Sequence, residues 1–271
     1  MGTLRSTAAR AGVAMLVTAA GVATLAAMTG CSALSGTSQR RLDFTDTERA
    51  TFTTIVIKPG AGDVAVRTGT VDETTIKRIV RYRGDEPADP GYRVDGSSLL
   101  LITDCGRLCT VSYEVTAPTG VAVSGSSGSG DIDLRGVSTV EVELGSGNVT
   151  VQDASGDVQV RTGSGNIAVS RAGGAVALYA GSGTVTGTEL GGGAVRAQAG
   201  SGNVDLRLAT ANSVQARSGS GSVQIAVPPD HYRVHADSGS GSRDVTVTDE
   251  PAASLLIDAR TGSGNLSVRQ G

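Results

Sequence analysis

Gly145-Ser146-Gly147-Asn148-Val149-Thr150-Val151 is a phrase that this chain repeats. It returns as Gly163-Ser164-Gly165-Asn166-Ile167-Ala168-Val169 and as Gly200-Ser201-Gly202-Asn203-Val204-Asp205-Leu206. The central serines are Ser129, Ser146, Ser164, Ser182, Ser201, Ser220, Ser240 and Ser263, at spacings of 17, 18, 18, 19, 19, 20 and 23 residues. Self-similarity at a near-constant period of about 20 residues marks a solenoid or array. A weaker echo falls midway, at Ser155-Gly156-Asp157, Gly173-Gly174-Ala175 and Gly192-Gly193-Ala194. The working unit is therefore half a period, one strand and one tight turn, with two units to a coil.

Each strand alternates. Val149 and Val151 point one way, Thr150 and Gln152 the other, and Val158 with Val160, Ile167 with Val169, Val204 with Leu206, Val223 with Ile225 and Leu266 with Val268 repeat the pattern. Period two with one apolar face is a half-buried strand. The unit is too short to hold a helix, so the fold class predicted is all-β: a right-handed β-solenoid with coils of about 18–20 residues. Coils stacked ~4.8 Å apart make the eight phrases a rod roughly 35–40 Å long. The glycines supply corners that need positive φ, and serine keeps stacked corners thin. Asp131, Asn148, Asp157, Asn166 and Asn203, at the next position, suit a polar ladder bonded to neighbouring backbone. The longer late spacings are read as inserted turns at Pro228-Pro229-Asp230 and Asp249-Glu250-Pro251-Ala252.

Several motifs suggest chemistry and fail on inspection. A calcium-binding β-roll needs an aspartate where this chain has Thr150, Gln159, Ala168 and Ala177. Gly60-Ala61-Gly62-Asp63-Val64-Ala65 fits a dinucleotide fingerprint, but the alternating Val64-Ala65-Val66-Arg67 that follows is a strand and not the helix which a pyrophosphate needs. The segment reads as an early, degenerate copy of the repeat. No nucleophile elbow surrounds any serine. His231 and His235 follow two prolines on a strand pattern, ~13 Å apart and too distant for one metal. Asp131, Asp133, Glu141 and Glu143 are acids that a shared face could bring together for sugar chemistry.

Composition narrows the partners. The 271 residues include 39 glycines, no tryptophan and 3 % aromatics. Single-stranded nucleic acid needs stacking platforms that this composition does not supply. Without its first 30 residues the chain keeps 21 basic against 26 acidic residues, so no nucleic-acid footprint exists. No cofactor is implied.

Arg5 and Arg10 precede an apolar run from Ala11 to Ala27, the layout of a secretory signal. The run closes with Leu25-Ala26-Ala27-Met28-Thr29-Gly30-Cys31, which resembles a bacterial lipobox. That resemblance implies cleavage before Cys31 and acylation of its thiol, a membrane anchor on the outer face of the cell membrane. The two remaining cysteines, Cys105 and Cys109, flank a three-residue turn and are expected to form a structural disulfide in an oxidising compartment. The predicted organisation is a signal peptide at 1–30, a lipidated cysteine and flexible tether at 31–46, an irregular β cap with the disulfide at 47–119, and the solenoid at 120–271. No cap is visible after Leu266–Gln270, so self-association at the C-terminal coil is expected.

The Gly-Ser-Gly-Asn/Asp-Val repeats, the early Gly62-Asp63-Val64 phrase and Cys105 to Cys109 leading into Val111-Ser112-Tyr113-Glu114-Val115 together resemble the bacterial DUF4097 family of adhesin-like β-strand-repeat proteins. The resemblance covers roughly residues 52–271 and implies an exported β-solenoid of the cell envelope, with no catalytic motif to carry over. The function expected is therefore non-enzymatic: a lipid-anchored envelope protein whose outward columns of Thr, Gln, Arg and Asp bind an envelope protein or glycan. The alternatives are a sensory or regulatory partner in envelope stress signalling and, less favoured because the loops are short, a polysaccharide-acting enzyme on a β-helix.

Overall fold

The computed structural model describes residues 38–88 and 91–271, and every regular element among them is a β-strand. In chain order these are β1 (Arg40–Glu48), β2 (Thr54–Lys58), β3 (Val64–Gly69), β4 (Thr74–Tyr82), β5 (Tyr92–Asp95), β6 (Ser98–Ile102) and β7 (Cys109–Pro118). The regular coils follow as pairs: β8 (Ala122–Ser129) with β9 (Ile132–Arg135), β10 (Val140–Ser146) with β11 (Val149–Gln152), β12 (Val158–Ser164) with β13 (Ile167–Ser170), and β14 (Val176–Ser182) with β15 (Val185–Leu190). Then come β16 (Val195–Ser201) with β17 (Val204–Leu208), β18 (Val214–Ser220) with β19 (Val223–Val227), β20 (Tyr232–Ser240) with β21 (Arg243–Val245), and β22 (Leu255–Ser263) with β23 (Leu266–Gln270). The first strand of each coil joins one sheet and the second joins the other, and from β8 to β19 neighbouring coils pair in parallel. The all-β solenoid read from the repeat is the fold.

Strict register stacks the coils. Val142, Val160, Leu178, Ala197, Ala216 and Ala259 face one another in succession down one sheet, and all are buried. Val149, Ile167, Val185, Val204, Val223 and Leu266 form the matching column in the other. Each valine, leucine or isoleucine of these columns gains roughly 1.5–3 kcal/mol from burial and each alanine less, so the interior is a continuous aliphatic stack.

The Gly-Ser-Gly corner is where the second glycine becomes obligatory. Gly165 sits at φ +141°, and a Cβ there would lie 2.0 Å from the carbonyl oxygen of Gly147 one coil away. The corner carries the ladder round the bend, since Gly147 N–H donates to Ser164 O and Gly165 N–H to Ser182 O, both at 2.9 Å. The serines between are exposed, so thinness is demanded by the glycines and not by the serine side chain. At the next position the polar ladder is present. Asp63 Oδ1 accepts from Asp131 N–H, Asp131 Oδ1 from Asn148 N–H, Asn148 Oδ1 from Asn166 N–H, and Asn166 Oδ1 from Thr184 N–H, at 2.8–3.0 Å. Asp157 belongs to the opposite corner, where its Oδ1 accepts from Ala175 N–H. That opposite corner holds non-glycine residues Asp153, Arg171 and Glu189 at φ 54–58°, each costing about 1–2 kcal/mol.

Both ends depart from the expected order. The segment read as a cap contains two true coils, β2–β3 and β6–β7, and the later of them lies outside the earlier: β3 is flanked by β7 and β9, and β2 by β6 and β8. Antiparallel strands β4 and β1 then extend one sheet and β5 the other. β1 occupies part of the stretch expected to be tether, because Leu42 and Phe44 pack against the core and Phe44 lies under the Arg78 guanidinium at 4.3 Å. At the far end β22–β23 slots between β18–β19 and β20–β21.

The premise of an open C-terminal edge therefore fails, since β22 and β23 are paired on both sides. The far-end edges belong to β20 in one sheet and β21 in the other, and part of the β20 edge is occupied. Asp249 Oδ1 accepts from Val234 N–H (2.8 Å), Glu250 N–H donates to Tyr232 O (2.8 Å), and Arg243 Nη1 donates to Ala236 O (3.1 Å). These three β20 groups are therefore not free to template another strand. Protonated His231 reinforces the blocking loop through Glu250 Oε1 at 2.7 Å, and that carboxylate holds the imidazole pKa above its ordinary value.

Candidate functional site

Outward residues fall into columns because register is strict and side chains alternate. On the sheet containing β12, one row reads Glu143, Arg161, Tyr179, Gln198, Arg217 and Arg260 from coil to coil. The parallel row reads Glu141, Gln159, Ala177, Arg196, Gln215 and Asp258. Ala177 is the one short side chain between those long ones. Its methyl lies in a depression of about 210 Å³ walled by Gln159, Arg161, Tyr179, Arg196 and Gln198. Tyr179 is 42 % exposed, the only aromatic among the large exposed apolar side chains of the described residues.

The charges of this face divide. Asp258 is 7 % exposed and accepts from Arg217 Nη2 (2.9 Å), Arg260 Nε (2.8 Å) and Gln215 Nε2 (3.2 Å). Arg161 and Arg196 have no carboxylate within 4.0 Å among the described residues. Arg217 and Gln215 also line the depression, but both are engaged by Asp258, so of its three arginines Arg161 and Arg196 stand available.

The opposite sheet is different in kind. Thr150, Ala168 and Thr186 follow one another in one outward column and Gln152, Ser170 and Thr188 in the next. Nearer the β1 end, Asp133 takes Arg135 at 3.0 Å and Glu114 takes Lys77 at 3.2 Å. A second depression, about 440 Å³, lies over Ala65, between Glu114 and Asp133 in register. Asp131 and Asp133 belong to this side, Glu141 and Glu143 to the other, so the four acids do not converge. Among the described residues no three His, Cys, Asp or Glu side chains form a metal-ligating group.

Cys105 and Cys109 are joined as a disulfide with Cα atoms 5.6 Å apart, closing the turn that enters β7. Cys31 lies outside the described residues. Gly60 to Ala65 forms a corner stacked on the first repeat, with Gly62 N–H donating to Ser129 O at 3.1 Å and Val64 N–H to Asp131 O at 2.9 Å. His231 and His235 are not brought together: the first takes Glu250, and the second lies in register beside Asp258.

The glycine corners, the aliphatic stack and the side-chain ladder run through the described coils, and a family model with the description Toastrack DUF4097 matches the sequence over residues 24–270. The chain belongs to the Toastrack family. No curated protein matches it in sequence. Solved structures similar to this Toastrack chain include a candidate adhesin of Bacteroides fragilis, at 15% identity and TM-score 0.47 over 85% of this chain and 97% of that one. A candidate adhesin of Parabacteroides merdae aligns at 12% identity and TM-score 0.39 over 86% and 96%. A candidate cell-adhesion protein of Clostridium sporogenes does so at 12% and 0.34 over 86% and 100%.

Within this Toastrack face Asp258 is the electrostatic keystone. Burial pushes its carboxyl up, but donors from Arg217, Gln215 and Arg260 outweigh burial and hold it below the ordinary carboxylate range. A depressed folded-state value means stabilisation that is present above the unfolded value near 4 and is lost as pH falls through the lower folded value. Asp258→Asn should remove about 1–2 kcal/mol at neutral pH, because hydrogen bonds to an ionised group are replaced by weaker ones while the arginines remain hydrated. Urea midpoints measured from pH 5 to pH 2 should fall less steeply for the variant than for the wild type; identical slopes would contradict this role.

Proposed function

We propose that this chain is a non-enzymatic, lipid-anchored protein of the cell envelope that binds partners through an outward sheet face of its solenoid, as an adhesin does. The single observation that carries this reading is the composition and strict register of the β12–β14–β16 face. Long arginine and glutamine side chains and one exposed tyrosine are held in register by a stack whose corners leave no room for a Cβ. Contacts there are polar, repeated and shallow, which suits an extended partner better than a small substrate. Two of the outer-face carboxylates are engaged by cations, Asp133 by Arg135 and Asp258 by Arg217 and Arg260, which suits a structural role for that pair. Arg5, Arg10, the apolar run and Cys31 support export and acylation. A signal peptide at 1–30 and acylation at Cys31 would leave the solenoid on the outer membrane face.

The test compares wild type with Cys31→Ala in cells fed a clickable fatty-acid analogue and treated with a membrane-impermeant cross-linker. Wild type should carry the label, remain with the membrane and be captured with envelope components. Cys31→Ala should carry no label and leave the membrane fraction. Equal membrane retention of both chains, or no surface capture of wild type, would overturn the proposal.

A further inference from the structure

The depression over Ala177 has the chemistry of a subsite for an anionic sugar. Arg161, Tyr179 and Gln198 lie side by side on β12, β14 and β16, with Gln159, Ala177 and Arg196 in register beneath them. Strands are ~4.8 Å apart and residues two apart on a strand ~6.7 Å apart, so the six positions tile a flat area about one or two sugar rings across. Ala177 leaves the space, about 210 Å³. Tyr179 is exposed beside it and offers a flat face on which the C–H side of a pyranose can rest. Gln159 and Gln198 each present a donor and an acceptor, which matches paired hydroxyls. Arg161 and Arg196 flank the space without carboxylate partners, and a guanidinium fork donates two parallel bonds to a carboxylate. Glu143 on β10 is the register neighbour of Arg161 and bounds the patch on that side, while Asp258 engages Arg217 and bounds it on the other.

We infer that this patch binds a polyuronate-like glycan, with a ring against Tyr179 and carboxylates on Arg161 and Arg196. The glycan lies across the strands. Successive coils then meet successive sugar units, because the coil repeat is comparable with the rise of an extended polysaccharide per residue. This assignment rests on the binding-face reading above and names its ligand.

The experiment titrates the full chain with polygalacturonate, with dextran as a neutral ring polymer and linear polyphosphate as a ringless anion. Wild type should bind polygalacturonate at least about tenfold more tightly than either control, the factor expected when the loss of one charge-assisted pair or one stacked ring is read as an affinity. Tyr179→Ala and the double variant Arg161→Gln/Arg196→Gln should each weaken binding about tenfold or more. Arg67→Gln/Arg207→Gln, which removes the same charge from the opposite sheet, should leave binding within about twofold. Polyphosphate binding as tightly as polygalacturonate, no effect of Tyr179→Ala, or equal losses from the two double variants would each overturn the inference. If the chain is membrane-anchored and captures surface partners while polygalacturonate fails to bind, this ligand assignment falls and the envelope-binding function stands. If Cys31→Ala is retained like wild type while polygalacturonate binds as described, the reverse holds.

Discussion

Gly165→Ala is expected to cost about 4 kcal/mol or more, the range that marks a specific structural break, whereas Gly69→Ala in the same protein should cost less than about 0.5 kcal/mol. The difference is positional. A methyl at 165 would lie 2.0 Å from Gly147 O at a φ of +141°, where L-residues are strained even in free space. The colliding atom is backbone, so no rotamer change relieves it. Relief requires moving one coil from the next, which lengthens the hydrogen bond from Gly147 N–H to Ser164 O and pulls apart the buried pairs Val149 with Ile167 and Leu144 with Thr162. A Cβ at Gly69 meets nothing within 4 Å. Ser164, between the two corner glycines and exposed, should accept threonine or glutamine at under about 0.5 kcal/mol. Chemical denaturation of the four variants checks the order, and a Gly165→Ala cost near that of Ser164→Thr would refute the stacked-corner account.

What could be read from residues and what could not divide along the same line. Alternation and the Gly-Ser-Gly period located β11, β12, β13, β17, β19 and β23, because a two-residue period and a positive-φ corner are local properties. Serine was read as the thin residue, but the glycines on either side make the close contacts. The inward hydroxyls before some corners escaped notice: Ser218 donates to Gly202 O at 2.8 Å and Thr261 to Gly221 O at 2.7 Å, so polar residues occupy core positions at no loss of hydrogen bonding. Coil order was not legible, since identical phrases stack equally well in any sequence. The only trace was the stretch in spacing from Ser220 to Ser240 and Ser263; the turns read there are present, and they carry the chain across a slot and back. The binding face shows the same limit. Arg161 and Tyr179 are visible as outward residues, but their adjacency and the engagement of Arg217 by Asp258, 41 positions on, depend on register across coils.

Ending the chain after Ser254 should destabilise it more than excising the longer internal segment Asp230–Ala253. In a solenoid each coil contacts only its neighbours, so losing a true end coil removes one interface. Here the last strands are not the end of the stack. Removing Leu255–Gly271 strips β22 from β18 and β20, and β23 from β19 and β21, leaving β20 and β21 with no sheet partner. It also deletes Ile257, Leu266 and Val268, all buried, at roughly 1.5–3 kcal/mol each, and uncovers Val214 and Val223 beneath them. The expected loss exceeds about 5 kcal/mol, comparable with the entire stability of a marginal domain. Excision of Asp230–Ala253 removes the outermost coil with its buried Tyr232 and Val247 and its edge-blocking loop, but keeps the pairing of β22 with β18 and of β23 with β19. It leaves five residues between Val227 and Ile257, as many as lie between Leu208 and Val214, so β22 can still dock on β18. The excised chain should unfold at the higher denaturant concentration. It should also self-associate with rising concentration in sedimentation, because the new edge has no Asp249 or Arg243 to satisfy it. A truncated chain as stable as the excised one would mean that β22 and β23 are not interior to the stack.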